Sequence, residues 1–277
     1  MKPRVMSLVI FTCVVGLLIA PVQINFLHAA ISLIAVAFGA GAAGALNMWY
    51  EADLDALMKR TCLRPIPTGK ITKNQALIFG IIISLISISV LYFFSNLLSA
   101  IILSITIFFY VVIYTIWLKK KTPQNIVIGG ASGAAPVLIG WTATGSSLEI
   151  GAWILFLLVF TWTPAHFWAL AIENKSDYEE ADFPMLSTQE TYERTSIFIA
   201  LYSCATVIVS IIAAPILQLG IIYLFVAIFF GSNLMFKSYN LFRRKIQPIK
   251  YFVFSNTYLA VIFIGIVADV LWTLKEI

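Results

Sequence analysis

Apolar residues run through the chain in nine stretches, at about 5–22, 27–50, 75–95, 97–118, 125–143, 150–172, 196–215, 217–238 and 251–272. A helix needs about 20 mostly apolar residues to cross the hydrocarbon core of a bilayer, and each stretch is near that length. The breaks differ in kind. Those on one side are short and carry a single charge, Glu149, whereas the breaks at 51–74 and 173–195 are long and polar. The pattern predicts an all-α polytopic membrane protein, a bundle of nine transmembrane helices forming one domain over residues 1–277. An odd number of crossings puts the two termini on opposite sides.

Basic residues then orient the bundle. Of 18 Lys and Arg residues, 17 fall at the N-terminus or in the breaks after the second, fourth, sixth and eighth stretches, and only Lys275 falls on the other side. By the positive-inside rule the N-terminus is cytoplasmic and the C-terminus outside. The same residues account for the net charge of +5 without a nucleic acid partner, because they anchor loops to the anionic leaflet of the lipid bilayer. The two long breaks also hold ten of the thirteen acidic residues, so the polar working face is cytoplasmic.

Composition agrees with this reading. The chain is 61% hydrophobic and 11% charged, with a mean hydropathy of +0.95, against about 25% charged residues in soluble domains. That leaves too little polar surface for a water-wrapped fold. Cys13, Cys62 and Cys204 are too scattered for a metal or redox pair. The first stretch could mimic a signal peptide, but no Ala-x-Ala-like cleavage site follows Pro21. It is read as a retained helix, which favours a prokaryotic cell membrane.

Chemistry concentrates at two helix ends. Asn47, Glu51 and Asp55 are spaced i, i+4, i+8, so a helix sets them on one stripe, with Asp53 pointing elsewhere. Amide and carboxylate oxygens are hard ligands suited to Mg²⁺, and Arg60 and Arg64 follow within reach to grip phosphate oxygens. Such a set fits a Mg²⁺–diphosphate substrate. The plainer alternative is a solvated loop whose charges mark topology, but acids inside the end of a span are costly and usually functional.

The second end carries Trp162, His166, Ala169 and Glu173 on one helical face, with Pro164 inside the helix and Asp177 beyond it. A proline in a membrane helix is tolerated where the helix lines a cavity or packs closely. Acids from the two ends, facing one cavity, could clamp a diphosphate through metal. His166 has two readings open, a haem ligand or porphyrin-orienting group and a packing histidine bonded to a neighbour. His28 reads as interfacial, Asp269 as a hydrogen-bonding group and Trp272 as an interface anchor. Gly129-x-x-x-Gly133 is a close-packing motif first and a source of cavity room second, and Lys119–Lys121 is first a topology anchor and second a source of one phosphate-binding lysine.

At these residues the chain resembles the UbiA superfamily of intramembrane prenyltransferases. That signature is Asn-x-x-x-Asp-x-x-x-Asp followed by Arg-Thr and Arg-Pro. Asn47, Asp55, Arg60-Thr61 and Arg64-Pro65 match, while Glu51 stands where the family has its first Asp. Within the superfamily, Pro164-Ala-His166-Phe-Trp-Ala-Leu-Ala-Ile, Lys175-x-Asp177-Tyr178, Pro184-Met-Leu and the run Asn125–Pro136 resemble the protohaem IX farnesyltransferase branch. Quinone-type relatives have a further acid four residues beyond the second motif, where this chain has Ala181 and then Asp182.

The resemblance implies a UbiA-type helix bundle that takes farnesyl diphosphate and haem b and yields haem O. It implies Mg²⁺ held by Asn47, Glu51, Asp55 and Asp177, and diphosphate held by Arg60, Arg64, Lys120 and Lys175. It also implies haem at His166 and hand-over of product to a haem A synthase or terminal oxidase. Two other readings stay open: a UbiA-type enzyme acting on an aromatic quinone precursor, and a transporter. A transporter site would sit near the bilayer midplane between internal repeats, whereas these charges gather at one face.

Overall fold

A computed structural model describes residues 3–59 and 61–273. It contains helices and turns, with no strand among the described residues. Among the described residues eight helices are long and apolar enough to cross a bilayer, and the first helix adds a shorter apolar stretch, Met6–Ile19. The protein is a multi-pass membrane protein.

The chain forms two compact units, one taking in residues up to Ser147 together with Ser176–Pro184, the other Leu148–Lys175 and Met185–Ile277. In the first, α1 (Pro3–Ile19), α2 (Phe26–Tyr50), the short α3 (Ala52–Leu57), α4 (Lys73–Phe94), α5 (Leu97–Phe108) and α6 (Asn125–Ala143) pack together. Helix α5 continues without a break as a ten-residue π-helix, Phe109–Leu118.

Local chemistry starts these helices. The Asn25 side chain accepts from Leu27 N–H at α2, Thr72 and Gln75 form a capping box at α4, and Asn96 caps α5, each satisfying backbone donors that a helix start leaves bare. The Ala- and Gly-rich stretch Gly39–Leu46 lets α2 bury one side closely against its neighbours. Helices α1 and α6 approach so near that a β-carbon at Gly140 would collide with the Cys13 carbonyl. Asn96 Nδ2 donates to the Thr142 carbonyl at 2.6 Å and ties the α4–α5 turn to the end of α6.

The second unit holds α7 (Ile150–Glu173), the one-turn α9 (Leu186–Gln189), α10 (Tyr192–Ile216), α11 (Ile221–Phe242) and α12 (Pro248–Thr273). Between α7 and α9 the chain forms α8 (Lys175–Glu180). Buried hydroxyls link the long helices: Tyr251 with Ser203 at 2.7 Å, Tyr258 donating to Ser210 Oγ at 2.9 Å, and Tyr223 donating to the Ser210 carbonyl at 2.8 Å. In hydrocarbon such bonds contribute about 0.6–2 kcal/mol each. Ile78, Ile81, Ile82 and Leu85 on α4, and Ile221, Phe225 and Phe229 on α11, are exposed. These apolar surfaces suit lipid rather than water.

The sixth predicted span starts and ends within a residue of α7, and 125–143 coincides with α6. The eighth is displaced: residues 217–238 were expected, and α11 spans Ile221–Phe242. The cause is a turn in which Gln218 takes φ 54° and Gly220 N–H is capped by Asp269 Oδ1 at 2.9 Å. Asp269 thus makes the expected hydrogen bond but is half-buried rather than buried, because its partner is a turn at the helix end, and Trp272 is exposed. Lys275 lies outside the described residues.

Candidate active site

The acidic stripe forms at the end of α2. Glu51 leaves the helical region with φ −92° and ψ 8°. Even so, the bonds from Glu51 N–H to the Asn47 carbonyl and from Asp55 N–H to the Glu51 carbonyl continue the i to i−4 pattern into α3, at 3.0 and 2.8 Å. Asn47, Glu51 and Asp55 therefore stay stacked, and all three are buried, Glu51 with 4% and Asp55 with 3% exposure.

Each of the three has a partner. Asn47 Nδ2 donates to Thr115 Oγ1 at 3.1 Å, and Thr115 passes its own hydroxyl proton to the Tyr110 carbonyl at 2.8 Å. Lys119 Nζ pairs with Glu51 at 2.5 and 2.6 Å. Both rungs join residues 68 apart, as two helices running in the same direction require. The π-helix carries the second rail, and its wide i to i+5 turn brings Lys119 N–H to the Tyr114 carbonyl. Arg64 Nη1 reaches both carboxylate oxygens of Asp55, at 2.6 and 2.7 Å. Thr61 donates to the Asp55 carbonyl at 2.9 Å, fixing the loop that delivers Arg64.

Lys119 also lies 5.7 Å from the Tyr114 ring centre and 5.1 Å from that of Phe183. Phe183 belongs to the segment Ser176–Pro184, within the first unit. Asp182, at φ 48°, turns Phe183 N–H back onto the Tyr178 carbonyl at 2.8 Å. Asn125 Nδ2 holds the Pro184 carbonyl at 3.2 Å. Asp177 sits on this segment and is buried, with 9% exposure.

Among the nine residues singled out from the sequence, Asn47, Glu51, Asp55, Arg64 and Asp177 thus lie in the first unit on interlocked elements. Lys120 is exposed, with Nζ 5.5 Å from the Tyr50 ring centre; Lys119 makes the acid contact instead. Lys175 is exposed. Arg60 lies outside the described residues. Asp53 is exposed and pairs with Lys73 at 2.7 Å, away from the stripe as expected. Thr115 and Tyr110 were not identified from sequence as site residues, and Lys119 was weighed only within the Lys119–Lys121 group, from which Lys120 was chosen; the signal was present as polar Thr115 inside an apolar run, four residues before a lysine.

In the second unit His166 is buried between rings, Trp162 at 4.1 Å and Phe252 at 4.2 Å between centres, both near parallel. Its Nδ1 lies 2.7 Å from Ser255 Oγ. Ser255 Oγ also lies 2.8 Å from the Phe252 carbonyl. With the hydroxyl proton on that carbonyl, Ser255 accepts from Nδ1–H and Nε2 keeps an acceptor lone pair; with it turned to the ring, Nδ1 accepts and Nε2 carries the proton. These ring contacts and the Ser255 bond are what a packing histidine bonded to a neighbour would make, one of the two readings the sequence leaves open.

Among the described residues no three of His, Cys, Asp and Glu cluster as a metal cage. Mg²⁺ is seldom caged by protein alone; one or two carboxylates share it with substrate phosphates. Two buried carboxylates and an amide in one row, each charge balanced by a partner, fit that use.

The chain as a whole is similar to known proteins. The sequence pattern of the UbiA prenyltransferase family matches residues 9–262. The chain is 50% identical over 275 residues to the protoheme IX farnesyltransferase of Pelagibacter ubique, covering 97% of this chain and 91% of that one. It is 46% identical to the protoheme IX farnesyltransferase of Bartonella bacilliformis over 269 residues, with 95% and 86% covered. In fold it resembles a digeranylgeranylglyceryl phosphate synthase, with TM-score 0.80, 19% identity and 96% and 94% covered. It also resembles a UbiA homologue of Archaeoglobus fulgidus bound to GPP and Mg²⁺, with TM-score 0.66, 16% identity and 95% and 97% covered. The chain is a prenyltransferase, and it belongs to the UbiA prenyltransferase family.

Proposed function

We propose that the protein transfers the farnesyl group of farnesyl diphosphate to a vinyl group of protohaem IX (haem b), giving haem O and diphosphate. The observation that carries the reading is the pair of buried acid–base couples, Glu51–Lys119 and Asp55–Arg64, on one stripe with Asn47. The relatives named above, similar over nearly their whole lengths, support the choice of haem as acceptor.

Asn47, Glu51, Asp55 and Asp177 would hold Mg²⁺, which when bound supplies positive charge to offset that of the departing diphosphate. Each acid–base couple stores one carboxylate for a metal and one cation for a phosphate. With substrate bound, Glu51 and Asp55 would be available to hold the metal, and Lys119 and Arg64 would turn to phosphate oxygens. The other guanidinium N–H groups of Arg64 make no hydrogen bond among the described residues and can turn to such contacts. Arg60, Lys120 and Lys175 are proposed as further donors.

The allylic C1–O bond breaks with its electron pair on diphosphate. The vinyl π pair then forms the new C–C bond, and water adds to the carbon next to the porphyrin and loses a proton, leaving a hydroxylated farnesyl-ethyl arm. His166, through Nε2, is assigned to the haem iron or porphyrin. The charge asymmetry of the loops supports a cell-membrane protein whose N-terminus and acidic stripe face the cytoplasm, with the C-terminus outside.

The test is reconstitution in nanodiscs with haem b, farnesyl diphosphate and Mg²⁺, with mass spectrometry of the porphyrin. A product heavier by one farnesyl unit plus water is expected, lost on chelation and in Glu51→Gln and Asp55→Asn. Prenylation of hydroxybenzoate or naphthoate with haem untouched, or full activity in both variants, overturns the assignment.

A further inference from the structure

The segment Ser176–Pro184 belongs to the first unit, although the chain on either side of it belongs to the second. It carries Asp177, and three of its backbone bonds are local: Ala181 N–H to the Asp177 carbonyl, Asp182 N–H to that of Glu179 and Phe183 N–H to that of Tyr178. Such bonds shape the segment without tying it to the site. Asn125, at the start of α6, does reach across to it. We infer that Asn125 is a positioning residue, which fastens this segment to the first unit and so holds Asp177 ready for the metal. The inference rests on the prenyl-transfer reading above, in which Asp177 is one of the ligands, and adds the residue on which its placement depends.

Asn125 has 0% exposure. Its amide has two N–H donors, and it reaches two carbonyls, Thr122 at 2.7 Å and Pro184 at 3.2 Å. The first bond doubles the backbone bond from Asn125 N–H to the same Thr122 oxygen at 3.2 Å, which locks the side chain against the turn. That turn comes straight from Lys119, with Lys121 and Thr122 N–H closing on the Leu118 carbonyl at 2.9 and 3.3 Å. The second bond holds the residue after Phe183, whose ring centre lies 5.1 Å from Lys119 Nζ. The contacts therefore close a ring, from Lys119 through Thr122, Asn125, Pro184 and Phe183 back to Lys119. Glu51 sits on the same ammonium.

The unpaired end of the amide shows what the arrangement serves. Asn125 Oδ1 is buried and has no hydrogen-bond partner among the described residues, which is destabilising in itself. Turning the amide over would press that oxygen against two carbonyl oxygens, so the donors decide its orientation. Asn96, at the other end of α6, gives the contrast: it donates to the Thr142 carbonyl at 2.6 Å while its own oxygen accepts from Ser99 N–H at 2.9 Å. Asn96 is satisfied at both ends, as a residue that serves stability alone should be.

The experiment uses the full-length protein in nanodiscs. Hydrogen–deuterium exchange of residues 176–184 is measured without metal, and Mn²⁺ affinity is measured by electron paramagnetic resonance with the non-ionising analogue farnesyl thiolodiphosphate. Asn125→Asp keeps the shape and loses the donors, and Asn125→Leu loses both polar ends. Both are expected to lose protection across the segment and to bind Mn²⁺ about ten- to a hundredfold more weakly, the usual effect of removing a group that orients a metal ligand. In transfer assays the Mg²⁺ needed for half-maximal rate should rise by the same factor, with the rate recovering at saturating Mg²⁺. Asn96→Ala, whose Thr142 contact lies about 25 Å along α6 at 1.5 Å per residue, is expected to lower the unfolding temperature and leave both readouts alone. Should neither Asn125 variant fold, Phe183→Leu opens the ring from its other side and is expected to weaken both readouts in the same direction. Wild-type protection and Mn²⁺ affinity in these variants, or an equal loss in Asn96→Ala, overturn the inference and leave the function standing. Wild type that binds Mn²⁺ with the analogue but farnesylates no haem overturns the proposed function, while the exchange and Mn²⁺ readouts still decide the role of Asn125.

Discussion

Removing Lys119 tests the stored-pair arrangement most directly. Glu51 has 4% exposure and pairs, among the described residues, with Lys119, whose side chain is 18% exposed. Breaking a buried pair by deleting one partner costs about 3–5 kcal/mol, because the other charge stays desolvated. Partial exposure of Lys119 argues for the low end, about 3 kcal/mol, for Lys119→Met. Glu51→Gln is milder, roughly 1–2 kcal/mol, because the ammonium can reach water and keeps the faces of Tyr114 and Phe183. The double variant buries no lone charge and should lose about 2 kcal/mol. The expected coupling is therefore about 2–3 kcal/mol, a factor of roughly 30–150 in the unfolding equilibrium. Reversible unfolding in mixed micelles measures all four corners of the cycle, and transfer activity should remain lost in the double variant although it is more stable than Lys119→Met. Coupling below about 0.5 kcal/mol, the value of a solvated surface pair, would refute a buried couple between α2 and the π-helix.

Two further outcomes follow from the same geometry. Asp53→Asn should leave stability and prenyl transfer at wild-type levels, since the Asp53–Lys73 pair is exposed, 87% on the acid side chain; loss of Mg²⁺ response in that variant would mean that the stripe has been misidentified. Ser255→Ala frees His166 to change tautomer and should weaken haem binding by about ten- to a hundredfold, with an altered Soret band, while Ser255→Thr retains both. An unchanged spectrum in Ser255→Ala and in His166→Ala removes His166 from the haem site.

The long helices could be read from the chain because a span's requirement is crude. Twenty apolar residues suffice, and the α6 ends at Asn125 and Ala143 needed no finer signal. The α11 boundary was hidden because the stretch from Pro215 to Phe230 is apolar almost throughout, and a backbone turn at Gln218 closed by an acid 49 residues away decides it. At the site, the i, i+4, i+8 stripe was visible because it depends on one helix alone. The choice of Lys119 over Lys120 was not, since it depends on how a second helix is wound. The positions of Thr115 and Lys119 match those of Asn47 and Glu51 only once the constant offset of 68 is known. Arg64 was legible as a base near Asp55, and Thr61 as a neighbour in its motif, but the bond that turns the loop between them was not.

The wide winding of Phe109–Leu118 makes the number of residues in that stretch a constraint in itself. Dropping one residue between Thr115 and Lys119, such as Ile116, would swing the lysine about 100° around the axis if an ordinary α turn replaced the wide one. One rung could then form but not both. Natural variants should therefore tolerate changes of length in the polar loop leading to Thr72 far better than a single deletion here, even one that leaves every charged residue in place.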